Sequence, residues 1–157
     1  MNGIKKILVP VDFSKNSLNA LTYANNFAKC FQSKLVLIYV VEPIIYPSDF
    51  GLGQVSLVSN TQEIIDHSKE ELEKLAKKEV SKPTEFEIVI KRGRPFMEII
   101  DTATEIDADI IIIATHGHTG VDHLLFGSTA EKVVRKAPCP VLTVRNPVKG
   151  FNYKNNK

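Results

Sequence analysis

Short apolar runs alternate along the chain with stretches in which apolar side chains return every third or fourth position. "KILVPV" (6–11) is apolar at both alternating sets of positions, which predicts a strand buried on both faces. "DFSKNSLNALTYANNFAKC" follows, with Leu18, Leu21, Ala24 and Ala28 at helical spacing and Ser14 placed to cap the start. "KLVLIYVV" (34–41) predicts a second buried strand, and residues 43–60 carry the prolines and glycines of a loop although they are unusually apolar. "TQEIIDHSKEELEKLAKKEV" predicts a helix with a solvated face, on which Glu70–Lys74 and Glu73–Lys77 stand four apart. "EFEIVIK" (85–91) alternates, with Phe86, Ile88 and Ile90 on one side, as a strand does when one face is wet. "RPFMEIIDTATEIDA" opens with Pro95 in its first turn and repeats Phe96, Ile99, Ile100 and Ala103, predicting a helix. "DIIIIA" (109–114) reads as a central strand, "STAEKVVRKA" as a helix, and "PVLTVR" (140–145) as a short edge strand that opens on Pro140.

Strand and helix alternate throughout, which predicts an α/β fold: one doubly wound, five-stranded parallel sheet with helices on both faces. Right-handed crossovers, two central strands and a half-wet third strand fit the order 3-2-1-4-5. In that order a crevice opens between strands 1 and 4 at their carboxyl ends, where such sheets bind ligands. The length of 157 residues suits a single domain, taken as 1–146, followed by a flexible C-terminal tail over 147–157.

Composition narrows the function classes. At 43% apolar residues the chain can bury a core, and a net charge of +2 gives no electrostatic footprint for nucleic acid. No apolar run approaches the roughly 18 residues of a membrane span. The apolar run near the N-terminus is shorter than a signal peptide requires, so a soluble, cytoplasmic protein is expected. Cys30 and Cys139 form no CxxC pair and read as reduced, buried thiols.

The chemistry concentrates in "ATHGHTGVDHLLFGST" (114–129). His116, His118 and His123, with Asp122, are metal-ligand types, but zinc needs three or four convergent ligands, and these sit in a glycine-flanked loop without an HExxH helix. A phosphate cradle is the second reading. Ser128 followed by Glu131 matches a capping box, which makes Ser128 the start of a helix. Gly127 allows close backbone approach, and a helix start presents N–H groups and partial positive charge. Gly117 and Gly120 would let the loop fold over a bound group. Neither a Walker loop nor GxGxxG is present. A plain strand-to-helix turn is the third reading, and these residues alone leave cradle and turn open.

"ILVPVDFS" near the start, "HG" after a buried strand and "GSTAEKVVRKAPCPVLTVR" at the end resemble the universal stress protein family, along residues 4–145. Nucleotide-binding members of that family carry G-x-x-G, nine residues, then G-[ST]. Here Ala114 stands at the first glycine, followed by Gly117 and, nine residues on, Gly127-Ser128. The resemblance implies ATP binding, with Mg or Mn as the accompanying ion. Pro10, Val11 and Asp12 would border adenine and ribose, with Asp12 accepting a hydroxyl hydrogen bond or assisting the cation. Val40 would offer backbone groups to adenine. Gly117, Gly127, Ser128 and Thr129 would surround the phosphates, with His118 touching them and the Ala114 backbone close by. If the loop required positive φ at Ala114, alanine would cost about 1 kcal/mol there. The resemblance also implies a two-fold homodimer through strand 140–145. Its unpaired edge and its apolar Val141, Leu142 and Val144 would then be covered by a second copy.

Rapid hydrolysis of ATP requires a positioned base and a cationic stabiliser. No position near the loop advertises that pair, and Arg92 and Arg94 follow strand 3, away from the crevice centre. The expected function is therefore an ATP-binding stress-response regulator, a nucleotide-responsive dimeric module with at most slow hydrolysis, acting on a downstream protein the sequence does not name. Two alternatives stand beside it: the same fold as an interaction protein without nucleotide, and a metal-dependent hydrolase built on the histidines.

Overall fold

A computed structural model describes residues 3–43, 61–116 and 127–145. Its elements are β1 (Lys6–Pro10), α1 (Lys15–Phe31), β2 (Lys34–Val41), α2 (Thr61–Glu79), β3 (Phe86–Arg92), α3 (Pro95–Glu105), β4 (Ile110–Ala114), α4 (Ser128–Lys136) and β5 (Val141–Val144). The strands form one sheet of order β3-β2-β1-β4-β5, and every pairing is parallel. Fold and strand order are those expected from the hydrophobic pattern. The apolar 44–60 segment and the residues from 146 onward, including the expected tail, lie outside the described residues.

The doubly apolar strands explain the two layers. Ile7, Leu8 and Val9 have no exposed surface, and the strand period sends them to opposite faces. Ile7 and Val9 join Leu35, Leu37, Leu21 and Leu72 in a core beneath α1 and α2. Leu8 joins Val36, Ile38, Ile99, Ile111 and Val133 beneath α3 and α4. β3, at the edge, is only partly buried, as its alternating pattern requires. At β5, Val144 is 7% exposed and packs into the first core beside Leu142, while Val141 packs against the second. These three apolar side chains thus serve their own domain. The outer edge of β5 offers chiefly its backbone.

α1 starts where Ser14 accepts the Ser17 N–H at 3.1 Å, as its sequence predicts. It stops where Gln32 turns left-handed at φ 56°. On α2, Lys77 lies 3.6 Å from Glu73 as expected, whereas Lys74 pairs with Glu71 at 3.1 Å rather than with Glu70. Both i+3 and i+4 neighbours share a helix face, so the i+3 carboxylate competes on equal terms. The thiols correct a second expectation: both are free, but Cys30 is exposed and Cys139 half-buried. Cys30 stands on the outer flank of α1, where the helical repeat continues without reaching the sheet. Burial pushes the Cys139 thiol above its usual pKa, which disfavours the reactive thiolate.

The amino-terminal rim of the sheet is fastened by Asp109. Its carboxylate accepts the N–H groups of Lys5 and Lys6 at 2.8 and 2.9 Å, while its own N–H donates to the Lys6 carbonyl. Those hydrogen bonds hold the carboxyl below its usual pKa.

Candidate functional site

β1 meets β2 over five register pairs, Lys6↔Lys34 to Pro10↔Ile38. It meets β4 over two, Ile7↔Ile110 and Leu8↔Ile111. Beyond Leu8 the register between β1 and β4 stops, because Pro10, the next residue facing β4, has no N–H to donate, and this rim is where the strand order places a crevice. The chain connections lead α1, α3 and α4 away from the same rim, so three helix N-termini give it a positive polarity.

On one side stands the end of β1. Pro10 is partly exposed. Val11 is 4% exposed, belongs to the first core and donates its N–H to Ile38 at 2.9 Å. Asp12 is partly exposed and accepts the Ser14 N–H at 2.9 Å, an aspartate turn that closes the loop onto α1. Between them Phe13 sits at φ 63°, a left-handed conformation unusual for a bulky residue. Its ring lies 5.0 Å from that of Tyr39 on β2. The sequence motif did not reveal this position; its only local signal is the aspartate–serine turn that brackets Phe13. Val40, next along β2, is half-buried against the second core and registers with Lys91.

On the other side β4 ends at Ala114, 8% exposed, its side chain in the first core. It is not among the positive-φ residues Phe13, Gln32 and Asp107, so alanine carries no backbone strain there. Thr115 donates its N–H to Val144, and its hydroxyl lies 3.0 Å from Nδ1 of His116. The Thr115 carbonyl accepts the N–H of Gly127 at 2.6 Å, which brings the start of α4 against the end of β4.

That start differs from the capping-box expectation. Gly127 is the N-cap, in extended conformation at φ −71°, without a side-chain cap bond, and Ser128 is the first helical residue. The Glu131 N–H closes the first turn onto the Gly127 carbonyl at 3.0 Å. Positive φ is not what glycine supplies here. A Cβ at Gly127 would lie 3.2 Å from the Thr115 carbonyl oxygen and 3.7 Å from the His116 Cα, so close approach is the constraint. Ser128 is exposed and Thr129 half-buried, and first-turn N–H groups of a helix lack intrahelical partners.

Pro10, Val11 and Asp12 thus stand at the carboxyl end of β1, Ala114 at that of β4, Val40 at that of β2, and Gly127, Ser128 and Thr129 at the start of α4. Gly117, His118, Gly120, Asp122 and His123 lie outside the described residues. Among the described residues, no three His, Cys, Asp or Glu side chains gather as metal ligands.

The family model of the universal stress proteins matches residues 3–145. The chain belongs to the universal stress protein family. A universal stress protein of Methanocaldococcus jannaschii is 35% identical over 148 residues, covering 94% of this chain and 86% of the relative. The solved universal stress protein UspA of Lactobacillus plantarum superposes with TM-score 0.77 at 28% identity, covering 92% of this chain and all of that one. Two more distant structures show the same fold. A universal stress protein in complex with cAMP has TM-score 0.65 at 22% identity, covering 92% of this chain and 98% of that one. One from Archaeoglobus fulgidus in complex with dAMP has TM-score 0.61 at 23% identity, covering 91% and 98%. Among the described residues, no helix is long and apolar enough to cross a membrane.

Proposed function

We propose that the protein is an ATP-binding regulatory module of the stress response, working as a cytoplasmic homodimer and acting on a downstream protein. The observation that carries the reading is the approach of Gly127 to Thr115, which sets the first turn of α4 against the carboxyl end of β4, next to β1 in the sheet. The sequence motif shared with nucleotide-binding family members runs through these residues. The cAMP and dAMP complexes of more distant relatives agree with an adenine ligand. In this reading Pro10, Val11, Asp12 and the Val40 backbone face adenosine. Ala114, Gly117, His118, Gly127, Ser128 and Thr129 line the phosphate path. A Mg or Mn ion would arrive with the phosphates. The donor set suits that role: Mg is commonly held by one or two carboxylates plus phosphate oxygens, and Asp12 supplies one carboxylate at this rim. The domain 1–146 would carry the whole site.

The dimer would form through β5. The carbonyls of Pro140 and Val144 accept from Ile111 on β4 and from Thr115 just past its end, so the strand period turns the backbone of Val141 and Thr143 to the open edge. A second copy running antiparallel would pair those groups.

Calorimetric titration with ATP and Mg tests the central claim. Saturable heat at micromolar to millimolar ATP supports it. No heat and no thermal shift at millimolar ATP-Mg replaces it with an interaction module that needs no nucleotide.

A further inference from the structure

α3 and α4 lie side by side on one face of the sheet, and a groove of about 430 Å³ runs between them. Phe96, from the first turn of α3, lines it with Ser128, Glu131, Lys132, Arg135 and Lys136 of α4. Lys132 and Lys136 are one helical turn apart. Their Nζ atoms stand 4.8 and 5.8 Å from the centre of the Phe96 ring. The single carboxylate of the lining, on Glu131, is engaged by Arg135 at 3.3 Å. Among the described residues neither lysine forms an ion pair. The buried face of α4 is spent on Ala130 and Val133, so the basic face is directed away from the core.

We infer that this groove is the docking site for an acidic segment of a partner protein, seated with an apolar side chain on Phe96 and carboxylates on Lys132 and Lys136. The two features of the groove select that chemistry together. Two lysines one helical turn apart, about 6 Å along the backbone axis, match carboxylates on nearby residues of one peptide. A ring beneath them gives that peptide an apolar anchor, and a desolvated aromatic contact is where such interfaces concentrate their affinity. Nucleic acid fits less well, because its affinity grows with the number of phosphates neutralised and this lining has an excess of two positive charges. The residues that carry the inference, Phe96, Lys132 and Lys136, are not among those assigned to the nucleotide, although Ser128 borders both places.

The test is fluorescence anisotropy with a labelled short peptide of glutamates around one leucine, using the full chain without nucleotide. The peptide binds, and raising the salt weakens it. Lys132→Glu combined with Lys136→Glu weakens it by about ten-fold or more. Replacing the leucine by glycine weakens it several-fold. Both lysines are exposed, so the variant should keep its far-ultraviolet circular dichroism. If it does not, the milder pair Lys132→Gln and Lys136→Gln takes its place. Equal affinity in a folded double variant overturns the inference, as does equal binding of a lysine-for-glutamate peptide. Tighter binding of a single-stranded oligonucleotide, lost in the same variant, would assign the groove to nucleic acid instead.

Discussion

Gly127 donates its N–H to the carbonyl of Thr115 at 2.6 Å, and the space above that bond is too tight for a freely placed side chain. Gly127→Val should therefore lower ATP affinity by about ten-fold or more. It should also lower stability by about 1–3 kcal/mol through crowding. Gly127→Ala, whose single methyl asks the Thr115 carbonyl to yield by a few tenths of an ångström, should fall between the two. Titration calorimetry and thermal melts read both effects. A folded valine variant with wild-type affinity would show that nucleotide does not approach this turn.

Thr102 is 1% exposed on the inner face of α3, and among the described residues its hydroxyl has no hydrogen-bond partner. A buried, unsatisfied hydroxyl costs about 1–3 kcal/mol, whereas an apolar group of the same shape does not. Thr102→Val should raise stability by about 1 kcal/mol in urea unfolding. A loss of stability would mean that the hydroxyl is satisfied in solution.

The Asp109 carboxylate gains two backbone donors on folding, and its pKa falls below the ordinary 3.8. Its contribution is therefore complete above about pH 3.8 and is lost as the pH drops further, through the lowered folded value. Asp109→Asn should reduce stability at neutral pH by about 0.5 kcal/mol, since both hydrogen bonds face solvent. It should also flatten the acid limb of the stability–pH curve. Parallel acid limbs in wild type and variant, measured by denaturant melts, would remove Asp109 from the acid response.

Thr143 is one of the two β5 residues, with Val141, whose N–H the strand period turns to the open edge, so proline there removes an outward donor while sparing the ladder to β4. Light scattering should show a dimer for the wild type and a monomer near 17.5 kDa for Thr143→Pro. Val144 is the wrong place to probe this contact, because a charge there would disrupt the chain's own core. A folded proline variant that stays dimeric would locate the interface elsewhere.

Strand order was readable because each strand declares its burial. Ile111, Ile112 and Ile113 can only be central, and Phe86, Ile88 and Ile90 separated by polar residues mark an edge. The crevice followed from that order. What could not be read was conformation inside the loops. Ser128 and Glu131 satisfy the capping-box spacing, but the close approach of Gly127 to Thr115, which a side chain would crowd, sets the N-cap one residue earlier. Phe13 has nothing in its identity to announce φ 63°, since only its contact with Tyr39 and the turn at Asp12 explain how a bulky residue is held there. The methyl of Ala114 joins the core rather than straining the loop, a distinction that depends on a backbone angle the motif does not encode.

The unequal ladders of β1, five register pairs with β2 and two with β4, mark where Pro10 withholds an N–H from the seam between β1 and β4. Asp109 rivets that seam at the rim opposite the crevice, through Lys5 and Lys6. Between Pro10 and Ala114 the two strands continue side by side with one donor missing, so the ladder is weakest there. Pro10, Val11 and Asp12 stand on one side, and the first turn of α4 is tied to the other by Thr115. A molecule bound by both would therefore bridge the weakest stretch of the seam.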